Sequence, residues 1–120
     1  MSRARARRWL RLDAYYCGGA AAIAVGFSGP LSRLLHVERP VVAAPGAATA
    51  VWALVLARLA RRDDVRPPLR LVAGANTAAS VALAGLAVRA PIAAARLLLG
   101  AVAVEVAAFA AVELKLLRTA

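Results

Sequence analysis

The chain has 120 residues, of which 62% are hydrophobic, and its mean hydropathy is +0.70. The length excludes two ordinary domains, and the hydropathy is too high for one soluble domain of this size. The formal charge of +10 comes from sixteen Lys and Arg residues, clustered beside the apolar runs as membrane topology requires. Aromatic residues make up only 5% and do not alternate with arginines, so we expect no nucleic-acid partner.

Four apolar windows approach the length of about 20 residues that crosses a bilayer. They cover residues 13–35, 41–59, 69–88 and 92–116, and charged residues with prolines separate them in ERP, RRDDVRPP and RAP. We therefore predict an all-α membrane protein, an antiparallel bundle of four transmembrane helices. The connections are short, so neighbouring helices run in opposite directions.

Basic residues dominate both predicted ends of the bundle. A basic N-terminal segment, 1–12, precedes the transmembrane domain, 13–116, and a short tail, 117–120, follows it. The first window also resembles a secretory signal peptide, because a basic segment precedes AAAIAVGF. Asp13 at the start of the apolar run and Pro30 after it are untypical of a signal, so we favour a retained helix. Cleavage would leave three spans.

The distribution of Lys and Arg predicts the orientation of the four spans. One side carries twelve: Arg3, Arg5, Arg7, Arg8, Arg11, Arg58, Arg61, Arg62, Arg66, Arg70, Lys115 and Arg118. The other carries four: Arg33, Arg39, Arg89 and Arg96. The positive-inside rule then places both termini of this multi-pass membrane protein in the cytoplasm. Membrane lipids are the expected partners, with anionic headgroups at the basic N-terminus.

A faint internal repeat relates the two halves of the sequence. An offset of 63 aligns Asp13 with Asn76 and Cys17 with Ser80, and Gly46 aligns with Gly100 in the even helices. The hypothesis is that the bundle consists of two related helical hairpins, whose common axis lies along the membrane normal. Chance matches are frequent in alanine-rich sequence, so the repeat bears on architecture and not on activity.

No combination of side chains predicts a metal site or a cofactor. Cys17 is the single cysteine, so no intramolecular disulfide forms, and we expect it to pack as a small apolar residue. His36 is the single histidine and lies in a predicted loop, where a surface position is much more common than a ligand role. Signatures of soluble enzymes such as GxSxG, a phosphate loop or HExxH do not occur.

Five polar residues are predicted to lie within or near the spans. Glu105 and Asn76 are at similar depth on adjacent helices, about 10 to 12 Å from the cytoplasmic face. Ser80 is one turn from Asn76 on the same helix face, and Thr49 and Asp13 are further candidate members of this cluster. Glu105 is the candidate catalytic or proton-handling residue.

Three interpretations of Glu105 follow from the cost of an ionised carboxylate in lipid, at least about 2.5 to 3.5 kcal/mol. In the first, a neutral carboxyl donates to Asn76 or Ser80 and joins two helices. In the second, Glu105 handles a proton or cation, or acts as an acid on a lipid-soluble substrate. In the third, it contacts a membrane-protein partner. Glu113, by contrast, is interpreted as an interfacial acid among cytoplasmic bases and needs no special role.

The layout resembles small four-span integral membrane proteins of high-GC bacteria. The resemblance covers the whole chain through RLDAYYCGGAAAI, LARRDD, LVAGANTAASVALAG and AAFAAVELKLLR. It implies the four-helix architecture and carries over no catalytic residue, because the proteins of this group have no assigned activity. Small multidrug exporters are also four short helices, but their membrane acid is in the first helix, where Asp13 here is interfacial.

The functional prediction is a non-catalytic bundle that acts as a structural or accessory subunit or associates with itself, as a homo-oligomer or with another membrane protein. The alternative is a proton- or cation-coupled transporter, or an enzyme acting on a lipid-soluble substrate, with Glu105 as the acid.

Overall fold

The computed structural model describes residues 3–119, and every regular element in this part of the chain is a helix. The five helices are α1 (Arg3–Gly26), α2 (Ser28–Leu35), α3 (Arg39–Leu59), α4 (Arg66–Arg89) and α5 (Ala93–Thr119). The outer residues of the two predicted terminal segments, Met1, Ser2 and Ala120, lie outside the described residues. Residues 3–12 of the basic segment are already helical and belong to α1.

Three helices are long and apolar enough to cross a membrane: α3, α4 and α5. They correspond to the predicted windows 41–59, 69–88 and 92–116, and the all-helical prediction is confirmed for them. The prediction of a fourth such helix over 13–35 is not confirmed, because the chain there divides between α1 and α2. The basic start of α1 further reduces its hydropathy, so it lacks the composition of a typical span.

Proline explains why the predicted first span is interrupted. Pro30 has no N–H to donate to the carbonyl of Gly26, the bond that would continue α1 into α2. The backbone N–H groups of Phe27 and Leu31 still donate to Ile23 and Phe27 respectively, each at 2.9 Å, so the interruption is local. The helix therefore ends at Gly26 and a second, eight-residue helix begins at Ser28.

His36 ends α2 in a left-handed conformation, with φ 56° and ψ 43°. Its N–H donates to Arg33 O and the N–H of Val37 donates to Ser32 O, the two bonds of a Schellman C-cap. The lone histidine thus has a structural position at a helix end. Among residues 3–119, no group of three or more His, Cys, Asp or Glu side chains is arranged to hold a metal ion.

The chain divides into two compact units. The first unit comprises residues 3–9 and 62–119 of the described chain, with α4 and α5 as its main elements. These two helices pack extensively on each other as an antiparallel hairpin joined by residues 90–92. The beginning of α1 completes this unit: Arg7 Nη2 donates to Arg62 O at 3.0 Å, and Trp9 meets Phe109 edge-on with ring centroids 6.1 Å apart.

The second unit, Leu10–Arg61, contains the rest of α1 together with α2 and α3. α3 approaches α1 closely at Gly46, where an added Cβ would lie 2.8 Å from Ala24 Cβ and 3.1 Å from Val25 Cγ2. At the start of α2, Ser28 Oγ accepts a hydrogen bond from Arg39 Nε at 2.8 Å, which joins α2 to the start of α3. Small side chains at the contact let the helix backbones approach closely.

Two helix bounds agree with the proposed sequence repeat. Adding 63 to the last residue of α1, 26, gives 89, the last residue of α4. Adding 54 to the first residue of α3, 39, gives 93, the first residue of α5. The difference between the two offsets, nine residues, corresponds to the segment that contains α2, which the second half lacks. Duplication of a helical hairpin stays a prediction.

Gly46 and Gly100 occupy equivalent positions of the repeat but have different surroundings, so they form a matched pair for a stability test. A Cβ at Gly100 would meet nothing within 4 Å. Gly46→Ala should destabilise the protein because the close contact is overpacked, whereas Gly100→Ala should gain helix propensity. We expect the free energies of unfolding of the two variants to differ by about 2 kcal/mol, measured by detergent titration and circular dichroism. Equal stabilities would contradict the close approach at Gly46.

Candidate functional site

The most deeply buried polar contact of the first unit joins α4 to α5. Asn76 Nδ2 donates to Glu113 Oε1 at 2.7 Å, and the two residues are 6% and 0% exposed. A carboxyl oxygen buried in apolar surroundings is costly unless it accepts a hydrogen bond, and the asparagine amide supplies one. This contact therefore fixes the register of the α4–α5 hairpin.

Buried apolar residues on both helices surround the Asn76–Glu113 contact. Val72 and Ala73 precede Asn76 by four and three residues and share its helix face. Ala110 and Leu116 flank Glu113 at three-residue spacing on α5. The polar pair thus belongs to the packed seam between the two helices.

Glu105 lies near the middle of α5, twelve residues after its start at Ala93 and fourteen before its end at Thr119. Its side chain is exposed and lies on a face with exposed Ala101, Val104 and Ala108. No described residue forms a hydrogen bond or an ion pair with Glu105. The sequence grouped Glu105 with Asn76, but the amide of Asn76 donates to Glu113, eight residues further along α5.

Ser80 and Thr49 form only local hydrogen bonds with carbonyls of their own helices. Ser80 Oγ donates to Thr77 O at 2.9 Å, and Thr49 Oγ1 donates to Pro45 O at 2.8 Å. Such bonds satisfy a hydroxyl within an apolar helix without recruiting a second helix. Ser80 is on the same helix as Asn76, but neither hydroxyl contributes to the Asn76–Glu113 contact.

Asp13 is buried in α1, with 1% of its surface exposed. Cys17, one turn later, is also buried and its Sγ donates to Asp13 Oδ1 at 3.5 Å. The sequence placed Asp13 at the membrane interface and treated Cys17 as a small apolar residue. The thiol is buried as expected, and it also acts as a weak donor to the carboxylate.

The sequence interpretation missed Glu113 because it placed this residue at the end of the span. The helix continues six residues beyond Glu113, about 9 Å, to Thr119. In a hairpin with equal distances from the turn at residues 90–92, Asn76 would lie opposite Val106, beside Glu105. The observed partner, Glu113, is seven residues further along α5. The available signal was helical spacing, since apolar residues at 110 and 116 flank Glu113.

An open groove of about 810 Å³ lies beside this seam, between α4 and α5. It is lined by Arg70, Gly74, Ala78 and Ala82 of α4 and by Leu114 and Leu117 of α5, among others. The surface is almost wholly apolar apart from Arg70 at one end. Glu105 is not among the described residues that line it.

Comparison with known proteins adds nothing to this description, since no protein-family model, curated protein or solved structure matches the chain.

The Asn76–Glu113 contact is testable by a double-mutant cycle of Asn76→Ala and Glu113→Ala. We expect a coupling energy between about 0.6 and 1.7 kcal/mol, the range of hydrogen bonds between membrane helices, from equilibrium unfolding in mixed detergent micelles. Glu113→Gln should retain most of the stability, because its amide oxygen can accept the same bond. Ser80→Ala, which removes only a local bond, is the control and should change stability by less than about 0.5 kcal/mol. Fully additive single changes would show that the contact is not formed.

Proposed function

We propose that this chain is a multi-pass membrane protein with a non-catalytic role, a bundle subunit that associates laterally with further copies of itself. Its three apolar helices support the membrane location, because only 11 to 17% of each spanning window is buried within the chain. So much exposed apolar surface is incompatible with a water-facing bundle of this size. Lipid and neighbouring polypeptides are the environments that can cover it.

The exposed position of Glu105 is the observation that carries self-association. A carboxylate at the centre of a spanning helix and facing lipid costs at least about 2.5 to 3.5 kcal/mol. The apolar run around it offers no basic residue, so a hydrogen bond from a second polypeptide is the available way to lower this cost. Because Ala101 and Ala108 flank Glu105 on the exposed face, a partner helix can approach closely.

A second copy of this chain fits the requirements of the Glu105 face. A two-fold axis beside α5 would bring two Glu105 carboxyls together, where each offers one donor and one acceptor when neutral. The same small flanking residues then face each other from both copies. An accessory subunit with its own polar residue at this depth is the other form of partner.

The alternative function, proton- or cation-coupled transport or chemistry on a lipid-soluble substrate, has less support. Either activity requires Glu105 to meet an interior cavity. Its side chain is exposed on α5, and the described groove is lined by other residues.

We further propose that α1 is a fourth crossing and that both termini are cytoplasmic. The part of α1 that follows the basic segment, residues 13–26, is about 21 Å long and α2 adds about 12 Å, so that together they are long enough for the hydrocarbon core. If α1 did not cross, its five arginines would join the sparse side, and the Lys and Arg count would change from twelve against four to seven against nine. The positive-inside rule favours the first distribution, in a bacterial plasma membrane like that of the four-span proteins which the layout resembles.

Replacement of Glu105 tests self-association. Glu105→Gln retains a donor and an acceptor and should leave the oligomer intact, whereas Glu105→Leu removes both and should shift the chain towards monomer. We expect at least a tenfold weaker association for the leucine variant, measured by energy transfer between labelled copies in vesicles or by sedimentation in detergent. Glu38→Leu is the control, because Glu38 is exposed outside the spans.

The contrary outcomes are distinct. A wild-type chain that is monomeric at every protein-to-lipid ratio would contradict self-association. If a different subunit co-purified with the wild type and Glu105→Gln but not with Glu105→Leu, the Glu105 face would bind that subunit. Loss of proton-linked uptake in Glu105→Gln, with assembly unchanged, would establish the alternative function.

Cysteine accessibility tests the fourth crossing. In a Cys17→Ser background, single cysteines replace exposed Ala4, Val37 or Asp63, which lie at the start of α1, after α2 and after α3. A membrane-impermeant maleimide should label the cysteine at position 37 in intact bacterial cells, and those at 4 and 63 only after the membrane is opened. Labelling of positions 4 and 37 from the same side would show that α1 does not cross.

A further inference from the structure

We infer that the groove between α4 and α5 is a binding site for one anionic phospholipid, with the acyl chain along the groove and the phosphate at Arg70. The inference rests on the membrane location proposed above and is independent of the Glu105 face. The two surfaces use different residues.

The length of the groove matches one leaflet of a bilayer. From Arg70 to Ala82 the helix rises about 18 Å, and one leaflet is about half of the 30 Å hydrocarbon core. Arg70 is in the second turn of α4, close to the basic α3–α4 connection, and Ala82 is three turns deeper. An acyl chain lying in this groove would therefore have its headgroup at the level of Arg70.

The shape of the groove suits an acyl chain. Gly74, Ala78 and Ala82 form a floor without bulky side chains, and Leu114 and Leu117 of α5 form an apolar wall. A Cβ added at Gly74 would meet nothing within 4 Å, which shows that space is open there. The hydroxyl of Thr77, also in the lining, donates to Ala73 O at 2.7 Å, so it offers no donor to a polar partner helix.

Charge complementarity identifies the headgroup as anionic. Arg70 is exposed, and no described residue forms a hydrogen bond or an ion pair with its guanidinium. Guanidinium donors match phosphate oxygens in a bidentate geometry. Arg66, one turn before Arg70 on α4, adds to the attraction of an anionic lipid over a zwitterionic one.

The test uses the purified full chain, equilibrated in detergent with phosphatidylglycerol and phosphatidylcholine of identical acyl chains, and counts retained lipids by native mass spectrometry. The wild-type chain should retain one phosphatidylglycerol in preference to phosphatidylcholine. Arg70→Gln should reduce that preference about fivefold, the effect of one basic residue on an anionic headgroup. Ala78→Leu fills the groove and should reduce retention of both lipids.

Two matched controls separate a built site from general attraction. Arg118→Gln removes the same charge near the same end of the hairpin, and Ala79→Leu adds the same bulk to an exposed position of α4 outside the lining; neither should change retention. Circular dichroism of each variant verifies that it remains folded.

Several results would overturn the lipid site. If Arg70→Gln and Arg118→Gln lowered the preference for phosphatidylglycerol equally, general surface charge would explain the binding. Displacement of the lipid by millimolar inorganic phosphate would show a phosphate site without acyl recognition. A change of oligomeric state in Ala78→Leu, with lipid retention unchanged, would assign the groove to a second copy. Recovery of the chain in the soluble fraction without detergent would refute the membrane location itself, whereas a monomeric chain that still retains the lipid would refute only self-association.

Discussion

The constraint on which this structure depends is that a carboxyl group among apolar helices must have a hydrogen-bonding partner. Glu113 meets this requirement within the chain, through the amide of Asn76 at 2.7 Å. That contact joins α4 to α5 at one register, because a shift of either helix by one residue would rotate the donor away from the acceptor by about 100°. The apolar residues around it add packing area but no such directional requirement. The tightest hairpin of the chain is thus specified by a single polar pair.

Glu105 is subject to the same constraint, and in the proposed assembly its partner belongs to a second copy of the chain. The two acids lie eight residues apart on α5, and eight residues correspond to about 80° beyond two full turns. One acid can therefore face the seam with α4 while the other faces outward. A helix with polar groups in two directions can join its own hairpin and a neighbouring molecule at the same time. Stability within the subunit and association between subunits then depend on separate residues and can change independently.

The sequence predicted the three most apolar helices well, because length, hydropathy and proline positions act locally. It failed at two places where local pattern is insufficient. The span over 13–35 was expected as one helix, but Pro30 removes a backbone donor and divides it after Gly26. Asn76 was grouped with Glu105 because the two lie at similar depth, but its amide donates to Glu113, since the register of a hairpin depends on side-chain packing along its whole length.

The two halves of the proposed repeat have buried residues at equivalent positions but differ in their polar contacts. Buried residues recur at equivalent positions of α1 and α4, at Ala6 and Leu69, Leu10 and Ala73, and Asp13 and Asn76. The third pair is polar in both halves. Asp13 accepts a hydrogen bond from the Cys17 thiol one turn later, and the amide of Asn76 donates to Glu113 of α5. In the first half, the close approach at Gly46 and the bond from Arg39 to Ser28 join helices, and the nine additional residues belong to the segment that contains α2.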